Sequence, residues 1–207
     1  MTSEMHVDSL PLPRNVLRVD IVHSSSGAPD RQTFLDAQLQ FVVDKAVEGG
    51  LRRLFPTAAV QVRPDGDSMT VLIGPEVPKA WLLADFLLHE FVIALDDVNR
   101  RADDRHRLRV RCALDHGETT VNGPHLAGPA VVATARLVDA EPLRAFLDRD
   151  PAHHLGLIIS DRFYQDVVTS GERGLGRVAF DRVDVEVKGF RQDGWIFRPD
   201  LSGQRVA

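Results

Sequence analysis

The chain has 207 residues, 43% of them hydrophobic and 27% charged, which is enough apolar material for one domain with a sizeable core. A formal charge of −5 argues against a protein that coats nucleic acid through a basic face. No uncharged apolar run approaches a membrane span, the single cysteine (Cys112) leaves no internal disulfide, and Met1 to His6 lack the basic and apolar signal pattern; a soluble cytoplasmic protein is expected.

Residues 1–14 read as a polar lead-in, 15–198 as one domain and 199–207 as a tail. Over 15–23, Val16, Arg18 and Asp20 alternate with Leu17, Val19 and Ile21, the period of a half-buried strand. Residues 24–30 form a turn-rich loop. Phe34, Leu35, Gln38, Phe41 and Val42 then recur at helical spacing, and Gly49-Gly50 stops that helix. Residues 61–73 read as a hairpin with Asp67 at the root of its second strand. Asp65-Gly66 supplies the turn, because glycine accepts a positive φ cheaply. After a Pro-rich linker at 75–78, a long helix over about 79–101 presents Leu82, Phe86, Phe91 and Leu95 on one apolar face. In the following strand Leu108, Val110, Cys112 and Leu114 face one way, and Arg109, Arg111, Ala113 and Asp115 the other.

The first half therefore reads β-α-β-β-α-β, the split βαβ order of ferredoxin-like folds. After residues 115–118 comes a loop that runs through Pro124. Helices over 129–140 and 142–149, a buried strand over 155–160 and a helix capped by Asp161 follow. A hairpin of 183–187 and 194–197, joined across 188–193, closes the chain. The predicted fold class is α+β, a ferredoxin-like βαββαβ core with extra helices and a C-terminal β-hairpin.

Asp20 and Asp67 fall at strand ends of one sheet. Two carboxylates so placed are what a divalent-metal site for phosphate chemistry requires. The bland alternatives are a cap or a solvated turn for each acid, a pairing of Arg136 with Asp139 or Glu141, and a turn-stabilising His116. The adjacent His153 and His154 diverge from one another, which disfavours a shared metal. Gly171 to Gly176 precedes a strand rather than a helix and so lacks the context of a phosphate loop.

Four segments carry a resemblance, over about 15–197, to the catalytic domain of the class III nucleotide cyclases, the adenylate and guanylate cyclases. Asp20-Ile21 resembles the Asp-Ile pair bearing the first metal ligand, and Gly66-Asp67 the Gly-Asp bearing the second. Residues 108–118 resemble the Arg-rich strand ending in His-x-Gly-Glu or His-Gly-Glu, and 128–137 the Gly-x-x-Val-Asn-x-Ala-x-Arg-Leu helix. The linker at 74–79 is similar to that of small stand-alone actinobacterial members.

The resemblance implies a homodimer with composite sites that turns ATP or GTP into a 3′,5′-cyclic monophosphate and pyrophosphate. Asp20, Ile21 and Asp67 would hold Mg²⁺ or Mn²⁺ in one subunit, and Arg136 from the other would steady the transition state. Arg63 falls where the family places a purine-reading lysine, His125 at that lysine's acidic partner, and Lys188 or Arg191 at a triphosphate-binding cation. The chain also departs from the pattern. Val132 replaces the ribose-positioning asparagine, and His23-Ser24-Ser25 replaces the Gly-Phe-Ser/Thr of the phosphate-wrapping loop. The expectation is a divergent purine-nucleotide cyclase; the alternative is a catalytically degenerate cyclase-like domain that binds nucleotide or dimerises in signalling. An unrelated ferredoxin-like interaction module is the third reading.

Overall fold

The computed structural model describes residues 10–24 and 29–199. Most of the expected lead-in (1–9, including Met1 to His6), loop residues 25–28 and the tail from 200 lie outside the described residues. The elements in chain order are β1 (Leu12–Ile21), α1 (Pro29–Ala46, prolonged by wider i→i+5 turns over Val47–Arg52), β2 (Val60–Asp65) and β3 (Ser68–Ile73). There follow α2 (Lys79–Trp81, Leu82–Phe91 and Val92–Asn99 in succession), β4 (Val110–Asn122), β5 (His125–Ala127), α3 (Pro129–Leu137) and α4 (Glu141–Arg149). The chain ends with β6 (Leu155–Ser160), α5 (Asp161–Val167), a 3₁₀ turn (Glu172–Arg177), β7 (Ala179–Val187) and β8 (Phe190–Arg198). No helix among the described residues is long and apolar enough to cross a membrane.

The sheet runs β2-β3-β1-β4-β6-β8-β7, with β5 folded onto the end of β4. Its first four strands are antiparallel, the order of a ferredoxin-like core. The parallel pair β4–β6 and the β7–β8 hairpin extend the core on one side. The expected α+β architecture is the one observed.

The period of two in β1 sends its side chains into two different layers. Leu17, Val19 and Ile21 join Val71, Cys112 and Leu114 in the main core beneath α1 and α2. Helix α2 adds Phe86 and Phe91, both 1% exposed or less, each burial being worth roughly 2 kcal/mol. On the opposite face Ala113, Ile158 and Ile196 pack beneath Leu137 and Leu143 of α3 and α4. Val16, Leu72, Val121 and Ala130 form a smaller cluster beside them. The antiparallel strands β2, β3 and β1 thus keep a polar row on this second face, where Arg18 donates to Thr70 Oγ1 at 2.9 Å and to Asp65 at 2.9 Å.

Three local expectations give way to tertiary pairing. Residues 119–122 are strand, not loop, because Leu12 of β1 pairs with Thr119, and β5 pairs with residues 120–122. The closing hairpin turns tightly at Lys188 (φ 49) and Gly189 (φ 80) rather than across 188–193, since Val187 pairs directly with Phe190. The cap of α5 is Ser160, whose hydroxyl accepts from Phe163 N. Asp161 instead accepts from Trp195 Nε1 at 2.9 Å, fixing the hairpin to the helix.

Candidate active site

Pairing of β1 with both β3 and β4 assembles the site. Asp20 lies opposite Ser68 on one side and Arg111 on the other. Asp65 pairs with Ser68, so the turn between β2 and β3 consists of Gly66 (φ 63) and Asp67. Asp67 therefore sits in the turn rather than in the strand, and its carbonyl accepts from Ile21 N at 3.1 Å. That bond draws the two acids to one end of the sheet.

Each carboxylate is held by one oxygen. The Arg111 guanidinium donates to Asp20 Oδ2, and the Ser24 hydroxyl to Asp67 Oδ2. The Asp20–Arg111 pair is largely sheltered, at 15% and 14% side-chain exposure. Burial pushes the Asp20 carboxyl above its ordinary range; Arg111 opposes that shift, while the negative charges of Asp67 and Asp139 add to it. A third acid, Asp36 of α1, is likewise raised, first by burial and then by Asp67. Its Oδ1 is buried and makes no hydrogen bond among the described residues.

This donor chemistry fits a hard divalent cation: carboxylate oxygens, with acid–acid repulsion that a cation would relieve. Asp20 and Asp67 would be the residues to hold it; among the described residues no group of three or more acids, histidines or cysteines is gathered closely enough to form a complete cation site. Ile21 could contribute only its backbone carbonyl, since its side chain is 1% exposed and belongs to the core.

A cavity of about 250 Å³ opens beside the acids, lined by His23, Ser24, Arg111, Arg144, Leu147 and Asp148 among others. Arg144 reaches it from α4 while bridging to Asp139 at 2.7 Å, and His23 Nε2 lies 3.6 Å from Asp148. Arg111 and Arg144 are the residues that sequence reasoning missed. Strand alternation placed Arg111 on the Asp20 side of the sheet but could not name its partner, and Arg144 carried no sequence signal at all.

The remaining candidates divide. Val132 (50% exposed) and the half-buried Arg136 lie one turn apart on α3. Asp139, one of the bland partners considered for Arg136, pairs with Arg144 instead. Arg63 Nη1 donates to Gly123 O at 2.6 Å, at the turn that leads into His125 of β5, so these two base-site candidates border one hairpin. Lys188 and Arg191 are exposed on β7–β8. Strands β8 and β7 stand third and fourth from β1, roughly 14–19 Å away at about 4.8 Å per strand. Within one chain they do not meet Asp20.

His116 lies within β4 rather than in a turn. Its Nε2 is 3.1 Å from Lys79 Nζ and 2.9 Å from Asp166, and burial together with Lys79 lowers its pKa. His153 stacks on Phe146 at 5.3 Å, and His154 faces Asp96 at 3.7 Å. Neighbouring Asp115 is fully buried and bound by Arg162, Ser160 and the His116 N–H.

No protein-family model and no curated protein sequence matches the chain. Solved structures do. An adenylate/guanylate cyclase/hydrolase from Silicibacter pomeroyi superposes with a TM-score of 0.61 at 17% identity, over 91% of this chain and 97% of that one. The adenylyl cyclase CyaB from P. aeruginosa gives 0.58 at 14% identity, over 93% and 97%. The guanylate cyclase domain of RhGC from Catenaria anguillulae, in complex with GTP, gives 0.56 at 17% identity, over 90% and 96%. The chain has the fold of the adenylate and guanylate cyclase catalytic domains.

Proposed function

We propose that this protein is a divergent, metal-dependent purine-nucleotide cyclase of the cytoplasm, converting ATP or GTP into a 3′,5′-cyclic monophosphate and pyrophosphate as a homodimer. The observation that carries this reading is the meeting of Asp20 and Asp67 at one sheet end beside a cavity that holds Arg111. Asp20, Asp67 and the Ile21 carbonyl would hold Mg²⁺ or Mn²⁺. When bound, such an ion lowers the pKa of the ribose 3′-hydroxyl and neutralises the leaving pyrophosphate.

The chain's own groups supply the rest. Arg111 can fork onto phosphate oxygens while keeping its contact with Asp20. Arg144 can leave Asp139 at little expense, because both partners of that pair are substantially exposed (51% and 38%). Arg136 of the second subunit would meet the charge that develops at the α-phosphate. Lys188 or Arg191 would reach the triphosphate from that same subunit, and Arg63 and His125 would border the base.

A second reading, a degenerate cyclase-like module that binds nucleotide or dimerises without turnover, is favoured by one specific feature. Val132 offers no hydrogen bond to a ribose, and loss of one positioned donor is worth about 10²–10³ in rate. Turnover of ATP and GTP with Mn²⁺, with cyclic product resolved by mass spectrometry, separates the two. Product that vanishes in Asp20→Ala and Asp67→Ala supports the cyclase. A nucleotide-induced rise in melting temperature without product supports the module, and neither signal rejects both.

A further inference from the structure

Away from the acids, on the face of the sheet covered by α1 and α2, lies a groove of about 540 Å³ between residues 34–45 of α1 and the C-terminal end of α2. Phe34, Gln38, Phe41 and Lys45 line it from α1 at the i, i+4, i+7, i+11 spacing of one helix face. This stripe runs about 16 Å along the helix. Phe34 and Phe41 are 38% and 53% exposed, large apolar side chains left outside the core. Phe34 is nevertheless fixed, edge-on against His106 at 4.9 Å. Opposite them, Val98 and Ala102 supply an apolar floor.

The rim is cationic. Lys45 and Arg100 share the single carboxylate of Asp97, each at 2.6 Å, and Arg101 adds a third positive charge. Three cations against one acid stand out on a chain whose overall charge is −5. The groove is also an open shelf, with its aromatic rings half in water. Small ligands favour pockets that enclose most of their surface, whereas a helix laid along a groove needs only one face covered.

We propose that this groove is a docking site for an acidic amphipathic helix of a partner protein, about three turns long, with its apolar stripe on Phe34 and Phe41 and its carboxylates against Lys45, Arg100 and Arg101. Aromatic and arginine side chains are the residue types that dominate binding energy at such surfaces. The site is separate from the Asp20–Asp67 chemistry, and its test reads binding rather than turnover.

The probe is a fluorescein-labelled amphipathic peptide of about 15 residues, with leucine and phenylalanine at i, i+4, i+7 and i+11 and glutamates flanking them. A twin carries lysine in place of each glutamate. Anisotropy titrations of the full chain should give saturable binding of the acidic peptide, and about tenfold or more weaker binding of the lysine twin. Phe41→Asp and Arg101→Glu should each weaken the acidic peptide by about tenfold or more while leaving the melting temperature unchanged, since both side chains are exposed. Equal affinity for the two peptides, no saturation, or indifference to both substitutions would overturn the proposal. Sodium laurate binding that depends on Phe41, without binding of the acidic peptide, would also overturn it and assign the groove to a small amphipathic anion.

Discussion

Asp115→Ala probes the most deeply buried charge among the described residues. The Asp115 side chain is 0% exposed, and its carboxylate accepts from Ser160 Oγ at 2.5 Å, His116 N at 2.8 Å and Arg162 Nε at 2.6 Å. Bonds from neutral donors to a charged acceptor are worth about 1.5–3 kcal/mol each. Arg162 is 43% exposed and recovers water when released, so its share is discounted to about 1 kcal/mol or less. The loss then comes to about 3–7 kcal/mol, which overlaps the roughly 3–5 kcal/mol measured when a buried pair loses one member. For a chain of this size that is a fall in melting temperature of roughly 10 °C or more.

The reverse change is informative because the pair is asymmetric. Arg162→Ala strands the acid in the interior and should destabilise at least as much, and the double variant should fall short of the sum of the two. Urea denaturation with linear extrapolation reads all three variants. An Asp115→Ala protein that melts within about 2 °C of the wild type would refute the assignment of Asp115 as a structural anchor of β4 and α5.

Three further outcomes are expected. Cys112 is fully buried, and burial together with Asp20 pushes its thiol far above the ordinary range; the native protein should resist a thiol reagent at neutral pH and take up one equivalent after denaturation. The folded pKa of His116 lies below its ordinary value through burial and Lys79, so between the two values the unfolded chain binds more protons. Stability should therefore fall as pH drops through about 6.5 and level off below the folded value, and His116→Gln should flatten that fall in urea midpoints taken between about pH 7.5 and pH 5. His154 is shifted in the same direction, so the slope should be reduced rather than abolished. Gly128 has φ 133, and a Cβ there would sit 2.2 Å from the Glu118 carbonyl oxygen. Gly128→Ala should lose about 2–4 kcal/mol and displace the start of α3 with it; an unchanged denaturation midpoint would mean that the close approach of β4 and α3 is not maintained.

The alternation of β1, the helical spacing over α1 and α2, and the hairpin of β2 and β3 were legible in the sequence because each is a local periodicity of side chains. So were Asp20 and Asp67 as candidates, since acids at strand ends and turns are marked by their neighbours. The same local logic misled where distant pairing overruled it. Residues 119–124 read as a loop, yet 119–122 are strand because Leu12 of β1 and the short β5 supply the pairing partners. Ser160 rather than Asp161 caps α5 because Trp195 draws Asp161 toward the hairpin.

The site itself depended most on tertiary structure. Arg111 meets Asp20 across 91 residues of sequence, and Arg144 enters the cavity from a helix whose own pattern reports only which side faces the core. Sequence by itself determined which residues lie on which face of each element, because that follows from backbone geometry within a few residues. Tertiary structure decided which faces meet and which charges then neutralise one another, because strand register and helix packing are fixed by contacts between segments far apart along the chain.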